Sequence, residues 1–290
     1  MTDSHQQILP PKRVAAIHDI SGFGKCSLTV ALPILSATGV ETAAMPTALL
    51  STHTGGIEGY TFLDTTDQMR PFTKHWKSLD LHFDAVYSGF LGSFEQIDIV
   101  KEFIDTFRSS DNLVVVDPVM ADNGELYKVF DLNFARGMRS LCEKADLIVP
   151  NLTEAALLLE EPYKDGPYTK AYIEGLMKRL SGIGPKKIVL TGVFFDEAAL
   201  GSATYDAQTG IVDYALVDKI PGYYHGTGDV FASALLGALL NGFSLGASAA
   251  IAVRFTQGSI ARTYKEGTDL RFGVDFEHGF PDLLRDLKLV

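Results

Sequence analysis

Short runs of Val, Ile and Leu recur along most of the chain, and they constrain its fold more than any other feature. VAAIHD (14–19), AVYSGFLG (85–92), NLVVVDP (112–118), DLIVP (146–150) and KIVLTGV (187–193) read as strands that stay apolar over consecutive residues. A strand with apolar side chains on both sides must be covered on both faces. ETAAMPTALLS (41–51) reads as a further strand. Helical runs lie between: 25–39, ending at Gly39 despite Pro33, then about 94–108, NLTEAALLLE from 151, and about 168–181. This alternation predicts an α/β fold with a mostly parallel central sheet flanked by helices on both faces. GSATYDAQTGIVDYALVD (201–218) breaks the rhythm and reads as a small antiparallel edge hairpin turning at Thr209-Gly210. Two apolar helices are expected over 229–242 and about 246–263. The polar 55–82 region, with Gly55, Gly56, Gly59 and Pro71, reads as an excursion or lid. With no internal repeat or linker, residues 1–290 are expected to form one domain, with 1–12 flexible.

Composition removes several function classes. The net charge of -11, without a long Lys/Arg run, argues against a nucleic-acid partner. Cys26 and Cys142 are too few for a disulfide framework and suit a reducing compartment. Cys26, in a Gly-rich stretch, is either a reactive thiol or a small packed one. The N-terminal MTDSHQQILPPKR lacks the apolar centre of a signal peptide, and Asn241, Gly242 and Ser244 split the nearest approach to a membrane span. The expectation is a cytoplasmic protein with no membrane partner.

In open parallel sheets, ligands bind beyond the carboxyl ends of the strands. His18, Asp19, Ser88 to Phe90, Asp117, Asn151 and Thr191 stand there. Dinucleotide and P-loop signatures fail. GTGDVF places Phe231 at the third glycine position, GFGKCS places Ser27 there, and Cys26 follows Lys25 where Ser or Thr is needed. What remains is HGTGD (225–229), directly before an apolar helix. Gly226, Thr227 and Gly228 can present backbone N–H groups to an anion at a helix N-terminus. Asp229 beside them can take a proton from a hydroxyl, which suits phosphoryl transfer. It can equally be a helix N-cap. Asn151 and Glu154, three residues apart at a helix start and near Asp117, offer the hard oxygen donors Mg²⁺ takes. They can equally form a capping box. His53 and His225 read as hydrogen-bonded loop residues or as bases, and Lys25 as a phosphate contact or a solvated lysine.

These motifs together resemble the ribokinase-like superfamily and, within it, the vitamin B6 kinases, over about residues 13 to 265. HGTGD resembles that family's G-T-G-D anion hole and base, and NLTE (151–154) its N-x-x-E magnesium motif. DPVMAD (117–122) resembles D-P-V-M-G-D, with Ala121 in place of glycine. STHTGG (51–56) and YSGFLGS (87–93) resemble two segments around the pyridine pocket, with Phe90 in place of tyrosine. The resemblance implies ATP-dependent phosphorylation of the 5′-hydroxymethyl group of pyridoxal, pyridoxine or pyridoxamine. Asp229 would be the base and Gly226, Thr227 and Gly228 the anion hole. Asp19, Thr54 and Phe90 would line the ring pocket. Asp117, Asn151, Glu154 and Thr191, with Gly226 and Gly228, would meet ATP, and Asp117 and Glu154 would organise Mg²⁺ through water. Some relatives hold K⁺, which no residue here decides, and a homodimer is expected. One departure stands out: Asp19 replaces a serine of typical pyridoxal kinases, and D-x-S-G-x-x-G resembles the hydroxymethylpyrimidine kinases of thiamine synthesis. The alternatives are therefore that kinase or a dual enzyme, a sugar kinase, or a B6-binding protein without turnover.

Overall fold

The computed structural model describes residues 10–290, so most of the expected flexible tail lies outside the described residues. One nine-stranded sheet runs through it. In chain order its strands are β1 (Arg13–Ser21), β2 (Glu41–Leu50), β3 (Phe62–Asp64), β4 (Ala85–Ser88) and β5 (Leu113–Val116). After a separate two-stranded hairpin, β6 (Ala121–Asp122) and β7 (Glu125–Leu126), come β8 (Leu147–Ile148), β9 (Lys187–Val193), β10 (Ala199–Asp206) and β11 (Val212–Asp218). The sheet order is β11-β10-β9-β8-β5-β4-β1-β2-β3. The central strands are parallel; at one edge β3 pairs antiparallel with β2, and at the other β10 pairs antiparallel with both β9 and β11.

The apolar runs are explained by two cores, one on each face. Val114 and Val116 of β5 point into one, with Ile17, Val86, Ile148 and Ile188. Val115 points into the other, with Val14, Ala16, Ala85, Tyr87, Leu147 and Val189. The first face is covered by α2 (Thr66–Ser78), α3 (Phe94–Phe107), α4 (Leu132–Cys142), α5 (Leu152–Leu158) and α6 (Lys170–Ser181). The second is covered by α1 (Leu28–Ala37), α7 (Thr227–Leu240), α8 (Leu245–Glu266) and α9 (Phe280–Asp286). Helix α7 is apolar nearly all round because α1 and α8 enclose it against the sheet. Each of its fully buried leucines, Leu235 and Leu236, contributes about 1.5–3 kcal/mol.

Several expectations need correction. The 55–82 region is not simply an excursion. It contains edge strand β3 and helix α2, whose Met69 is buried and whose Arg70 pairs with Glu95 and Glu102 of α3. Strand β4 stops at Ser88, four residues early, because Gly89 to Gly92 form the loop at the strand's carboxyl end. Helix α1 starts at Leu28, since Gly24, Lys25 and Ser27 have positive φ. The β6–β7 hairpin was not anticipated; its strands are too short to show a period.

Candidate active site

Helix α7 begins at Thr227, with Gly226 as its N-cap, so Asp229 is neither the first helical residue nor the cap. Gly226 has φ 74°. A Cβ there would sit 2.1 Å from the Lys25 carbonyl oxygen, so the turn is pressed against the 22–27 loop and admits only glycine. No side chain caps α7. The N–H groups of Thr227, Gly228 and Asp229 therefore begin the helix without an intrahelical acceptor. A Cβ at Gly228 would meet nothing within 4 Å, so this turn faces open space.

Asp229 accepts a hydrogen bond from Ser27 N at 2.9 Å. The Ser27 hydroxyl donates to Asp19, whose other carboxylate oxygen accepts from Ser21 Oγ at 2.9 Å. Ser27 thus joins the two carboxylates. It does so with φ 57°, a costly conformation for a residue with a side chain. Burial pushes Asp229 up to about 7; the Ser27 N–H opposes this and the Asp19 charge adds to it. Its side chain keeps some contact with solvent. Asp19 is also raised by burial, against the pull of the two serine hydroxyls. Burial and the Asp229 and Asp19 charges push the Cys26 thiol well up, which makes it a packed thiol rather than a reactive thiolate.

Across the cleft, Asn151 caps α5 and Glu154 completes a capping box. Asn151 Oδ1 accepts from Glu154 N at 2.9 Å, and Glu154 Oε2 accepts from Asn151 N at 2.9 Å. Glu154 Oε1 also accepts from Met120 N at 3.1 Å. Thr191 bridges to Asn151 from β9, and its N–H and hydroxyl both bond the Pro150 carbonyl. Among the described residues none donates to the Asp117 carboxylate. Burial, then the Glu154 and Asp229 charges, push Asp117 well above the usual carboxylate range. Glu154 is raised by the same burial. Among the described residues no Lys or Arg pairs with Asp117, Glu154 or Asp229. Hard oxygen donors with no counter-charge suit a divalent cation. Glu154's backbone hydrogen bonds favour an approach through water.

The ring-pocket candidates are less closely joined. Thr54 lines a cavity of about 460 Å³ with Gly56, Ile57, Glu58, Lys128 and Arg271. Phe90 packs against Phe130, centroids 5.6 Å apart, and Thr54 makes no hydrogen bond to Asp19. His53 Nδ1 accepts from Gly55 N at 3.0 Å, so its proton sits on Nε2, which donates to the Arg271 carbonyl. Burial, the neighbouring His53 and, in opposition, Asp122 leave His225 below its usual value. His18 is sealed and held down to about 3 by burial, its ring edge against Tyr87. Gly89 leaves room for that ring; a Cβ there would lie 2.2 Å from His18 Nδ1. Lys25 turns away and pairs with Glu277 at 2.8 Å. The sequence reading missed Ser27, which no period or motif marks, and Tyr223, whose hydroxyl donates to Asp122 at 2.8 Å.

The sequence and fold are similar to those of known proteins. The family model for phosphomethylpyrimidine kinase matches residues 32–272. The chain belongs to this kinase family. A protein from Bacteroides thetaiotaomicron VPI-5482 described as a phosphomethylpyrimidine kinase is 40% identical with TM-score 0.91, covering 96% of each chain. A second crystal form of it, with pyridoxal, gives 41% and 0.90 over 94% of this chain and 96% of that one. Pyridoxal kinase from Lactobacillus plantarum is 34% identical with TM-score 0.86, over 94% of this chain and 97% of its own. Pyridoxal kinase from Arabidopsis thaliana is 31% identical over 165 residues, 54% of this chain and 51% of the relative. The chain spans about half the length of the first curated relatives it matches. The fold is therefore the ribokinase-like one of the vitamin B6 kinases. No described helix is long and apolar enough to cross a membrane.

Proposed function

We propose that this protein is a single-domain, ATP-dependent kinase that phosphorylates the 5′-hydroxymethyl group of a vitamin B6 vitamer. One observation carries the reading: a carboxylate raised to about 7 stands in the first turn of an uncapped helix that faces open space. The uncapped N–H groups of Thr227 and Gly228 complement the charge that grows on a transferring phosphoryl group. Asp229 accepts the hydroxyl proton as that oxygen attacks the γ-phosphorus of ATP, and ADP leaves. A value near 7 suits a group that must take and later release that proton near neutral pH. Asp19 meets the ring and Thr54 lines the acceptor side. Asp117 and Glu154, with Asn151 and Thr191 beside them, would hold Mg²⁺ near the donor phosphates. Bound there, the ion would neutralise phosphate charge. The crystal form of the 41%-identical relative with pyridoxal supports the pyridine ring.

A second reading, hydroxymethylpyrimidine as acceptor, is favoured by Asp19 and by the matching family model. ADP release with Mg·ATP, measured with pyridoxal, pyridoxine, pyridoxamine and hydroxymethylpyrimidine, separates the two. Turnover of a B6 vitamer is the expected result, and turnover of the pyrimidine alone would replace the first reading with the second. Silence with all four would remove both.

A further inference from the structure

We propose that Tyr223 is a positioning residue: its hydroxyl straps the β6–β7 hairpin across the cleft to the loop that leads into the α7 turn. The strap stands on geometry; only its kinetic consequence rests on the kinase reading. The hairpin has two strands of two residues each, too little to hold itself in place. Its inner side is moored to α5. Gly124 N donates to Thr153 Oγ1 at 2.9 Å, and Asn151 Nδ2 donates to the Ala121 carbonyl at 2.8 Å. Toward the loop at 219–226, its hydrogen bond is Tyr223 Oη to Asp122 Oδ2 at 2.8 Å, between residues 101 apart in sequence.

The Tyr223 ring is set from the other direction. Its edge meets His225, centroids 5.0 Å apart at 86°, and His225 directly precedes Gly226. His225 in turn lies 5.1 Å from His53, which is bonded to the Arg271 carbonyl. The ring is therefore referenced to the α7 turn, and the hydroxyl to the hairpin beside Asp117 and Glu154. Tyr223 is 50% exposed, so its hydrogen bond is one that opens and recloses rather than a sealed staple. Closed, it holds the two sides of the cleft at a fixed separation and limits the approach of water to the phosphate donor.

The test is Tyr223→Phe, which keeps the ring on His225 and removes only the hydroxyl. Backbone amide exchange across residues 121–126 should quicken by roughly 3- to 10-fold, while exchange in the β4 and β5 core stays unchanged. Asp122→Asn, whose amide oxygen still accepts a hydrogen bond, should show a smaller increase. In steady-state assays the KM for ATP should rise and vitamer-independent ATP hydrolysis should increase several-fold, with kcat for transfer within about twofold. Unchanged hairpin exchange in Tyr223→Phe would overturn the strap, whatever the acceptor proves to be. Faster exchange with wild-type KM and no added hydrolysis would overturn the positioning role. A wild-type protein inactive on every vitamer would remove the kinase reading and leave the exchange result standing on its own.

Discussion

Two helix N-termini carry the carboxylates whose charges both reach Asp117, Glu154 on α5 and Asp229 on α7, and they solve the same problem in opposite ways. Helix α5 satisfies itself: Asn151 caps it and Glu154 reaches back to close the box. Helix α7 starts on a left-handed glycine and has no side-chain cap. In the sequence both read as a polar residue at a helix start, with a capping role and a ligand role open for each. The structure separates them. An end closed by a capping box holds its carboxylate in place and commits two of its N–H groups, those of Asn151 and Glu154, to side chains of its own. An end that leaves them free is suited to a ligand and costs stability until one arrives.

The largest effect expected from this contrast is at Asp229. Asp229→Asn should cut turnover by about 100-fold or more, the scale of losing a general base. Near-normal kcat would show that α7 needs no base. Wild-type kcat/KM should rise with pH and level off above about 7, where the carboxylate is ionised. The stability trend has the opposite sign. The folded chain keeps this proton up to about 7, against 3.8 in the ordinary state. Between those values the fold binds more protons, so this group's contribution to stability falls as pH rises. Asp229→Asn should therefore raise Tm at pH 8, and a lower Tm would contradict the buried-charge account.

Next is the turn itself. Gly226→Ala forces a Cβ against the Lys25 carbonyl at positive φ and should destabilise the protein by about 1–3 kcal/mol, seen as a lower midpoint in urea. On the other helix, Asn151→Ala removes a cap and should cost about 1–2 kcal/mol of stability with a smaller fractional loss of kcat than Asp229→Asn. If Asn151→Ala left stability intact and abolished turnover, the contrast between the helices would fail. The smallest change is Gly228→Ala. Its methyl group enters open space, so stability should hold or improve by up to about 1 kcal/mol, while kcat/KM drops about 5-fold, equivalent to about 1 kcal/mol. Equal activity with this variant would mean that no phosphate approaches that turn.

Much of the fold was legible because burial on both faces leaves a plain mark. β5 reads LVVV, and its alternate valines serve two different cores. The edge hairpin was legible from Thr209-Gly210. Helix α2 was not: TDQMRPFTKHWKS is polar, carries Pro71, and buries little beyond Met69. The β6–β7 hairpin was beyond reach because its order comes from Asn151, Thr153 and Tyr223, which are distant in sequence. In the site, HGTGD and NLTE announced themselves as local motifs. Ser27 did not, since its partners Asp19 and Asp229 are 8 and 202 residues away and its strained backbone has no sequence signature. Thr54 and Phe90 rested on resemblance; the structure places Thr54 at a cavity and Phe90 against Phe130.

The serine shared by Asp19 and Asp229 has a consequence for how such an enzyme can change. Its backbone N–H serves one carboxylate and its hydroxyl the other. A substitution at residue 19 would free or reorient that hydroxyl, shift the backbone that holds Asp229, and alter the charge of its carboxyl. With the roles proposed for Asp19 and Asp229, choice of acceptor and speed of transfer would be inherited together, and a lineage adapting one would have to readjust the other.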